Sequence, residues 1–194
     1  MPDSFGLVVE GTYDEAAISE FIMRLTSAAA FIRAYTCGGV AGVMQKFPAY
    51  LAALQYEFQG GPVEKALVVV DSNGRNPAAL EAQMQNKISG RTYSFREGVR
   101  FCVVVREIEA WLLGDLNAIN TIPSNRGGGR ATLRLNQSPE ALVDPKVELE
   151  RRLSQRGVGY TSAMARRIAA AADLGMLERH CHSFADFRQK VQDC

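Results

Sequence analysis

Two acidic side chains come directly after short apolar runs, and they are the residues best suited to chemistry. Asp71 follows the run 66–70, and Glu10 follows the run 7–9 and precedes a glycine. Runs of this length, rich in β-branched residues, are typical of strands buried on both faces of a parallel sheet. Because ligands bind at the carboxyl ends of such strands, both acids are expected at the mouth of one site.

The chemistry that this arrangement would support is metal-assisted phosphoryl chemistry. A buried carboxylate is costly unless it is hydrogen-bonded, paired or bound to a cation, and carboxylate oxygens are suitable ligands for Mg²⁺. Glu107 and Glu109 follow a further apolar run at 99–105, so four carboxylates would converge if their strands are neighbours. The alternative reading is that Glu10 and Asp71 cap the helices that follow them.

The elements that must position these acids alternate between strand and helix. Strands are predicted near residues 6–9, 31–35, 66–70 and 99–105, and helices from residue 12, over 43–58, from 77 to 88, and over 147–156, 162–174 and 184–191. Thr12 and Glu15 fit a capping box at the start of the first helix, whereas Pro48 is expected to interrupt the second. This alternation predicts an α/β fold, with a parallel sheet flanked by helices.

Composition places the chain among globular proteins. It has 194 residues, of which 47% are hydrophobic and 22% charged, so disorder is not expected. No apolar run approaches the roughly 18 residues of a membrane span, and the first residues lack the features of a signal peptide. A cytoplasmic location without membrane association is therefore expected. The four cysteines form no C-x-x-C pair, which argues against a disulfide framework.

The chain is predicted to divide near residue 116. Residues 1–116 would form the α/β core, and residues 117–194 a basic, glycine-rich loop followed by a C-terminal helical extension packed on that core. Guanidinium groups pair bidentately with phosphate. On that ground four arginines are candidates for binding nucleic acid, although each is also typical of a solvated surface: Arg75, Arg106, Arg126 and Arg130.

Several short motifs give the chain a family resemblance. Val9-Glu10-Gly11 and Val70-Asp71-Ser72-Asn73 resemble the Toprim domain of topoisomerases, bacterial primases and overcoming-lysogenization-defect nucleases, which carries a strand-end Glu-Gly and a strand-end Asp-x-Asp. The segment Glu107-x-Glu109-Ala110-Trp111-Leu112-Leu113-x-Asp115 resembles, more specifically, the DUF4276 family of small Toprim-like proteins. Three later matches support the same family: Asp144-Pro145-Lys146, Tyr160 and Cys181-x-Ser183-Phe184-x-x-Phe187.

The resemblance implies a Toprim-like, Rossmann-like sheet with Mg²⁺ or Mn²⁺ near the acids. Glu10 would act as a general acid or base, and Asp71 would bind the metal. Asn73 stands where the family has a second Asp, so the site would hold a divalent ion less tightly unless Glu107 or Glu109 supplies the missing carboxylate. Residues two apart share a face in a strand but not in a helix, so only one of those two glutamates would face the site if the segment is helical. The predicted metal ligands are therefore Glu10, Asp71, Asn73, Glu107 and Glu109.

The leading functional hypothesis is a Mg²⁺-dependent nuclease or phosphodiesterase, as an effector of phage defence or of a mobile element. The resemblance implies a separate AAA- or ABC-type ATPase as a partner, since the chain has no G-x-x-x-x-G-K-[ST] loop, and a homo-oligomer is compatible with the sequence. A noncatalytic nucleic-acid or nucleotide-binding module is the second hypothesis, favoured by Asn73. A phosphotransferase or phosphatase with Asp71 as its nucleophile is the third.

Other residues in these motifs have simpler interpretations. Trp111 lies in an apolar run and is expected to anchor packing rather than to stack on a base. His180 and His182 are too close in sequence to share one tetrahedral zinc ion easily. Lys146 and Tyr160 suggest no chemistry of their own, and contact with nucleic acid or with the core are both open.

Overall fold

The computed structural model describes residues 4–27, 30–56, 63–124 and 135–193. Within them, one sheet is formed by β1 (Ser4–Val9), β2 (Phe31–Thr36), β3 (Lys65–Asp71) and β4 (Gly98–Val104). The strand order is β2-β1-β3-β4, and every neighbouring pair is parallel. The predicted parallel sheet is confirmed.

The sheet reverses its direction of winding between β1 and β3. These two strands pair from Phe5 with Lys65 to Val8 with Val68, while β2 lies outside β1 and β4 lies outside β3. In such a sheet the connections leave the two central strands in opposite directions, so a crevice opens at their carboxyl ends. Glu10 and Asp71 therefore stand on the two sides of this crevice.

Helices cover both faces of the sheet. They are α1 (Thr12–Leu25), α2 (Val40–Leu54), α3 (Pro77–Lys87), α4 (Ile108–Leu112), α5 (Leu116–Asn120), α6 (Pro145–Gln155), α7 (Ser162–Ala171), α8 (Leu174–His180) and α9 (His182–Gln192). A single 3₁₀ turn covers Pro139–Ala141. No helix in the described part of the chain is long and apolar enough to cross a membrane.

Alternate strand residues supply two cores. Leu7 and Leu67 face one core, which α1 and the helices from α4 onward complete, whereas Val8 and Val68 face the other, under α2 and α3. The period of two in a strand accounts for this division. Trp111 lies at the centre of the first core, fully buried against Phe184, Phe187 and Phe21, so its predicted packing role is confirmed.

The predicted capping box at the start of α1 is wrong. Gly11, not Thr12, is the N-cap, with an extended backbone, and its N–H donates to Asp14 Oδ2 at 2.8 Å. The reciprocal acid is thus Asp14 rather than Glu15. The N-cap is thus one residue earlier than the Thr12 hydroxyl suggested. The hydrogen bond from Gly11 N–H holds Asp14 beside the end of β1.

Two predicted helix boundaries are also wrong. Helix α2 runs through Pro48 without a break, because burial of Phe47 and Leu51 on the sheet offsets the hydrogen bond that proline cannot donate. The helix predicted over 162–174 ends at Ala171, and Asp173 caps a separate α8 by accepting a hydrogen bond from Met176 N–H.

Candidate functional site

The two strand-end acids meet across the crevice. Glu10 Oε1 accepts a hydrogen bond from the backbone N–H of Asp71 at 2.7 Å. The Glu10 carbonyl accepts further hydrogen bonds from Gly38 N–H at 2.8 Å and Gly39 N–H at 3.1 Å, in the turn after β2. The ends of three neighbouring strands are thereby held together around Glu10.

Three more carboxylates lie close enough to Asp71 to repel its charge. Loss of solvent raises the pKa of Asp71 well above its usual range, and repulsion from four neighbouring acids raises it further. These four are Asp14, Glu10, Glu109 and Glu107. We call the resulting group of five carboxylates, which is Glu10, Asp14, Asp71, Glu107 and Glu109, the acid cluster.

Glu10 holds its proton more tightly than an ordinary glutamate. Burial raises its pKa to about 7, and repulsion from Asp14 adds to the shift. The hydrogen bond from Asp71 N–H and the positive charge of Arg75 lower the pKa, but they do not cancel the effect of burial. Glu10 therefore exchanges a proton near neutral pH.

Two other members of the acid cluster are shifted in the same direction. Burial raises the pKa of Glu109 to about 7, and repulsion from Glu107 and Asp14 contributes. Burial raises the pKa of Asp14 to about 6, against the attraction of Lys146. The acid cluster is thus short of positive charge at neutral pH.

Both glutamates of the Glu-x-Glu motif belong to the acid cluster. Glu107 is the N-cap of α4 and has an extended backbone, while Glu109 lies in the first helical turn. Both repel Asp71. The sequence left open whether this segment is extended or helical, and the structure has both conformations, because the chain changes from extended to helical between the two residues.

Asp14, Lys146 and Tyr160 were not recognised from sequence as site residues. Asp14 lies four residues after Glu10, and its signal would have been an acid at the third helical position after a Gly N-cap. Lys146 N–H donates to Glu107 Oε2 at 3.1 Å. Lys146 and Tyr160 had only their match to family positions as a signal, since they are distant in sequence from the acids.

An aromatic pair closes one side of the acid cluster. The rings of Tyr13 and Tyr160 lie 4.8 Å apart between centroids, and Lys146 Nζ lies 5.2 Å from the Tyr13 centroid. Burial, and then the charge of Glu109, raise the pKa of the Tyr160 hydroxyl. That hydroxyl is buried, and its interaction with Glu109 raises the pKa of Tyr160 and lowers that of Glu109.

The other predicted site residues lie at the rim or outside the described ranges. Asn73 is exposed in the turn after β3, with a φ of 48°. Arg75 follows it in the same turn, and Arg106 lies in the turn after β4. Arg126 and Arg130 lie outside the described residues.

The donor set suits a hard divalent cation, although its positions do not form a coordination shell. Carboxylate oxygens are the ligands that Mg²⁺ and Mn²⁺ prefer, and the raised pKa values show that nearby positive charges do not offset the burial of these acids. Among the described residues, however, no three His, Cys, Asp or Glu side chains are placed to hold one metal ion. Binding a cation would therefore require the carboxylates to move together.

Several other motif residues stabilise the surrounding helices. Trp111 Nε1 donates to Ser183 Oγ at 2.8 Å, and Ser183 in turn donates to Glu140. Asp144 caps α6 by accepting a hydrogen bond from Val147 N–H. His180 Nδ1 lies 2.7 Å from the Gly114 carbonyl. These contacts fix the positions of α4 and α6, whose first residues include Glu107, Glu109 and Lys146.

The comparison with protein families supports the relationship suggested by these motifs. Residues 9–192 match the family described as "Domain of unknown function (DUF4276)". No curated protein and no solved structure matches the chain. Since the match extends over nearly the whole sequence, the chain belongs to the DUF4276 family.

Proposed function

We propose that the protein is a Toprim-like, divalent-metal-dependent phosphodiester hydrolase that acts on nucleic acid. The observation that carries this proposal is the acid cluster at the carboxyl ends of β1, β3 and β4. Its carboxylates are desolvated and repel one another. Glu10, Asp14 and Glu107 each accept a backbone N–H, as capping acids do, but helix capping alone does not require several carboxylates to lie close enough to repel one another.

Each residue of the cluster has a role in this reaction. A bound Mg²⁺ or Mn²⁺ would stabilise the charge that develops on the phosphate and lower the pKa of a bound water. Asp71, Asp14, Glu107 and Glu109 would hold the ion. Glu10, with a pKa of about 7, is suited to transfer a proton at neutral pH as a general acid or base, and its hydrogen bond to Asp71 N–H orients it.

A noncatalytic module that binds nucleic acid or a nucleotide, and works with a partner ATPase, is the second candidate. Two observations favour it: Asn73 takes the place of an acid at the rim, and no three groups of the described chain already form a metal site. Such a module would retain the crevice and its arginines without cleaving the ligand.

The experiment is a cleavage assay on plasmid DNA, linear DNA and RNA with Mg²⁺ or Mn²⁺. Glu10→Gln should slow cleavage by about 10²- to 10⁴-fold, as expected for loss of a general acid or base, while nucleic-acid binding is retained. Glu150→Gln removes an exposed carboxylate from α6 and is the matched control. Absence of metal-dependent cleavage in the wild type, with no metal binding by calorimetry, would favour the noncatalytic module.

A further inference from the structure

The turn after β3 and the turn after β4 are hydrogen-bonded to each other. Ser72 N–H donates to the Val104 carbonyl at 2.8 Å, and Arg106 N–H donates to the Ser72 hydroxyl at 2.8 Å. Asn73 N–H donates to the Arg106 carbonyl at 3.0 Å. Because Ser72 is only 2% exposed, the hydroxyl that joins the two turns is shielded from competing water.

Each turn contains a non-glycine residue in the left-handed region. The φ of Asn73 is 48° and that of Arg106 is 68°. Such conformations cost on the order of 1–3 kcal/mol and persist only where the surroundings impose them. At Arg106 the consequence is a defined side-chain direction: the guanidinium lies against Gly74, where an added Cβ would be 3.0 Å from Nη1.

Arg75 is oriented by the same turn. Its Nε donates to the Ser72 carbonyl at 3.1 Å, and its Nη2 lies 3.5 Å from the Asp71 carbonyl. Since Asp71 belongs to the acid cluster, this approach to its carbonyl places the guanidinium beside the cluster, and the charge of Arg75 accordingly lowers the pKa of Glu10. In the described chain neither Arg75 nor Arg106 forms an ion pair with a carboxylate.

We propose that Arg75 and Arg106 form one phosphate-binding subsite at the rim of the acid cluster, and that Ser72 is the residue that positions both. Guanidinium groups bind phosphate oxygens bidentately, and these two lie on turns that are hydrogen-bonded to each other, with no ion pair to a carboxylate of the described chain. The inference rests on the proposed function, in which this phosphate neighbours the bond to be cleaved. A nucleic-acid strand and a free nucleotide would both supply the phosphate group.

Binding without metal tests the subsite separately from cleavage. Fluorescence anisotropy in EDTA would follow a short labelled single-stranded oligonucleotide and a fluorescent ATP analogue over a range of salt concentrations. The double variant Arg75→Ala with Arg106→Ala should bind the oligonucleotide at least about tenfold more weakly. The slope of log K against log salt should fall by about 0.7, the value for one phosphate contact on a single strand.

The double variant Lys87→Ala with Arg91→Ala is the matched control. It too removes two positive charges, both exposed, but from the end of α3 and the loop before β4, at the opposite edge of the sheet. It should leave the salt slope unchanged. If the Arg75 and Arg106 double variant behaves like this control with both probes, or if the wild type binds neither probe, the subsite proposal is wrong.

Ser72→Ala tests how Ser72 positions Arg106, because it removes the hydroxyl that accepts from Arg106 N–H and keeps both positive charges and the carbonyl that accepts from Arg75 Nε. It should weaken oligonucleotide binding severalfold, and Ser72→Thr should restore it; a purely structural loss would lower the melting temperature without changing affinity. If the Arg75 and Arg106 double variant binds only the oligonucleotide more weakly, a nucleic-acid strand supplies the phosphate. If it binds only the ATP analogue more weakly, a nucleotide supplies it. A wild type that binds the oligonucleotide but never cleaves it would contradict the proposed function and leave the subsite intact.

Discussion

Carboxylates at the two ends of the Glu107-to-Asp115 segment have opposite surroundings. At the first end, Glu107 and Glu109 join acids that repel them and one another. At the second end, Asp115 accepts hydrogen bonds from Asn117 N–H and Asp173 N–H, each at 2.9 Å. Backbone N–H groups donate to carboxylates at both ends, since Lys146 N–H donates to Glu107, but at the first end further carboxylates also repel the acids.

Glu140 extends this comparison to the next layer of helices. It accepts hydrogen bonds from His182 N–H and Ser183 N–H, each at 2.9 Å, and from the Ser183 hydroxyl at 2.5 Å. A carboxylate that stabilises a helix terminus is thus recognisable from its donors. A carboxylate surrounded by other carboxylates is recognisable from the repulsion that a bound cation would remove, and this difference separates the acid cluster from the structural acids.

The largest stability effect is expected at a structural acid. Glu140→Ala should lower the free energy of unfolding by about 2 to 3 kcal/mol, because the N–H groups at the start of α9 and the Ser183 hydroxyl lose their acceptor. Urea unfolding followed by circular dichroism would measure it. Glu150→Ala, which removes an exposed acid, should change the free energy of unfolding by less than about 0.5 kcal/mol. Equal effects of the two variants would mean that Glu140 does not stabilise the start of α9.

The opposite sign is expected within the acid cluster. The pKa of Glu109 is raised from 4.5 to about 7, so its contribution to stability is fully present below pH 4.5 and is lost as the pH rises through 7. Glu109→Gln should therefore raise the free energy of unfolding in EDTA by about 2 kcal/mol at pH 8 and leave it nearly unchanged at pH 4. Urea titrations at both pH values would test this, and destabilisation at pH 8 would contradict it.

Added cation should partly replace the effect of that substitution. At pH 8, Mg²⁺ at ten times its dissociation constant should stabilise the wild type by about 1.4 kcal/mol, measured as a rise in melting temperature that EDTA reverses. Glu109→Gln should show a smaller rise, because one ligand and one repulsive charge are gone. The same rise in both proteins would place the bound Mg²⁺ away from the acid cluster.

The strands and the two strand-end acids could be predicted because their signals are local. A short β-branched run indicates a buried strand, and the carboxyl ends of parallel strands must share one edge. Asp14 could not be placed in the same way, since Gly11 and Thr12 are both acceptable N-caps and the end of β1 decides between them. Helix α2 passing through Pro48 was missed for a similar reason, because packing on the sheet overrides the local preference.

The approach of Lys146 and Tyr160 to the acid cluster had no local signal at all. Helix α6 and the segment before α7 lie at the site because α1 packs on α7, and α4 packs on both α6 and α7. The contact therefore depends on the tertiary fold. The family motif marked both positions but did not say what they touch. The structure adds one cation and one buried hydroxyl to a site that sequence reasoning had described by its acids and arginines.

The smallest expected effect concerns that cation. The attraction of Lys146 lowers the pKa of Asp14, which burial raises to about 6. Lys146→Met should raise that pKa further. The variant should therefore lose about 0.5 kcal/mol more of its free energy of unfolding at pH 8, where Asp14 is ionised, than at pH 4. Lys87→Met, which changes an exposed lysine, is the control. The cation–π contact with Tyr13 is lost at both pH values, because the substitution removes the ammonium group. Equal losses at the two pH values would therefore mean that Lys146 acts through Tyr13 alone, and that the acid cluster has no compensating charge on this side.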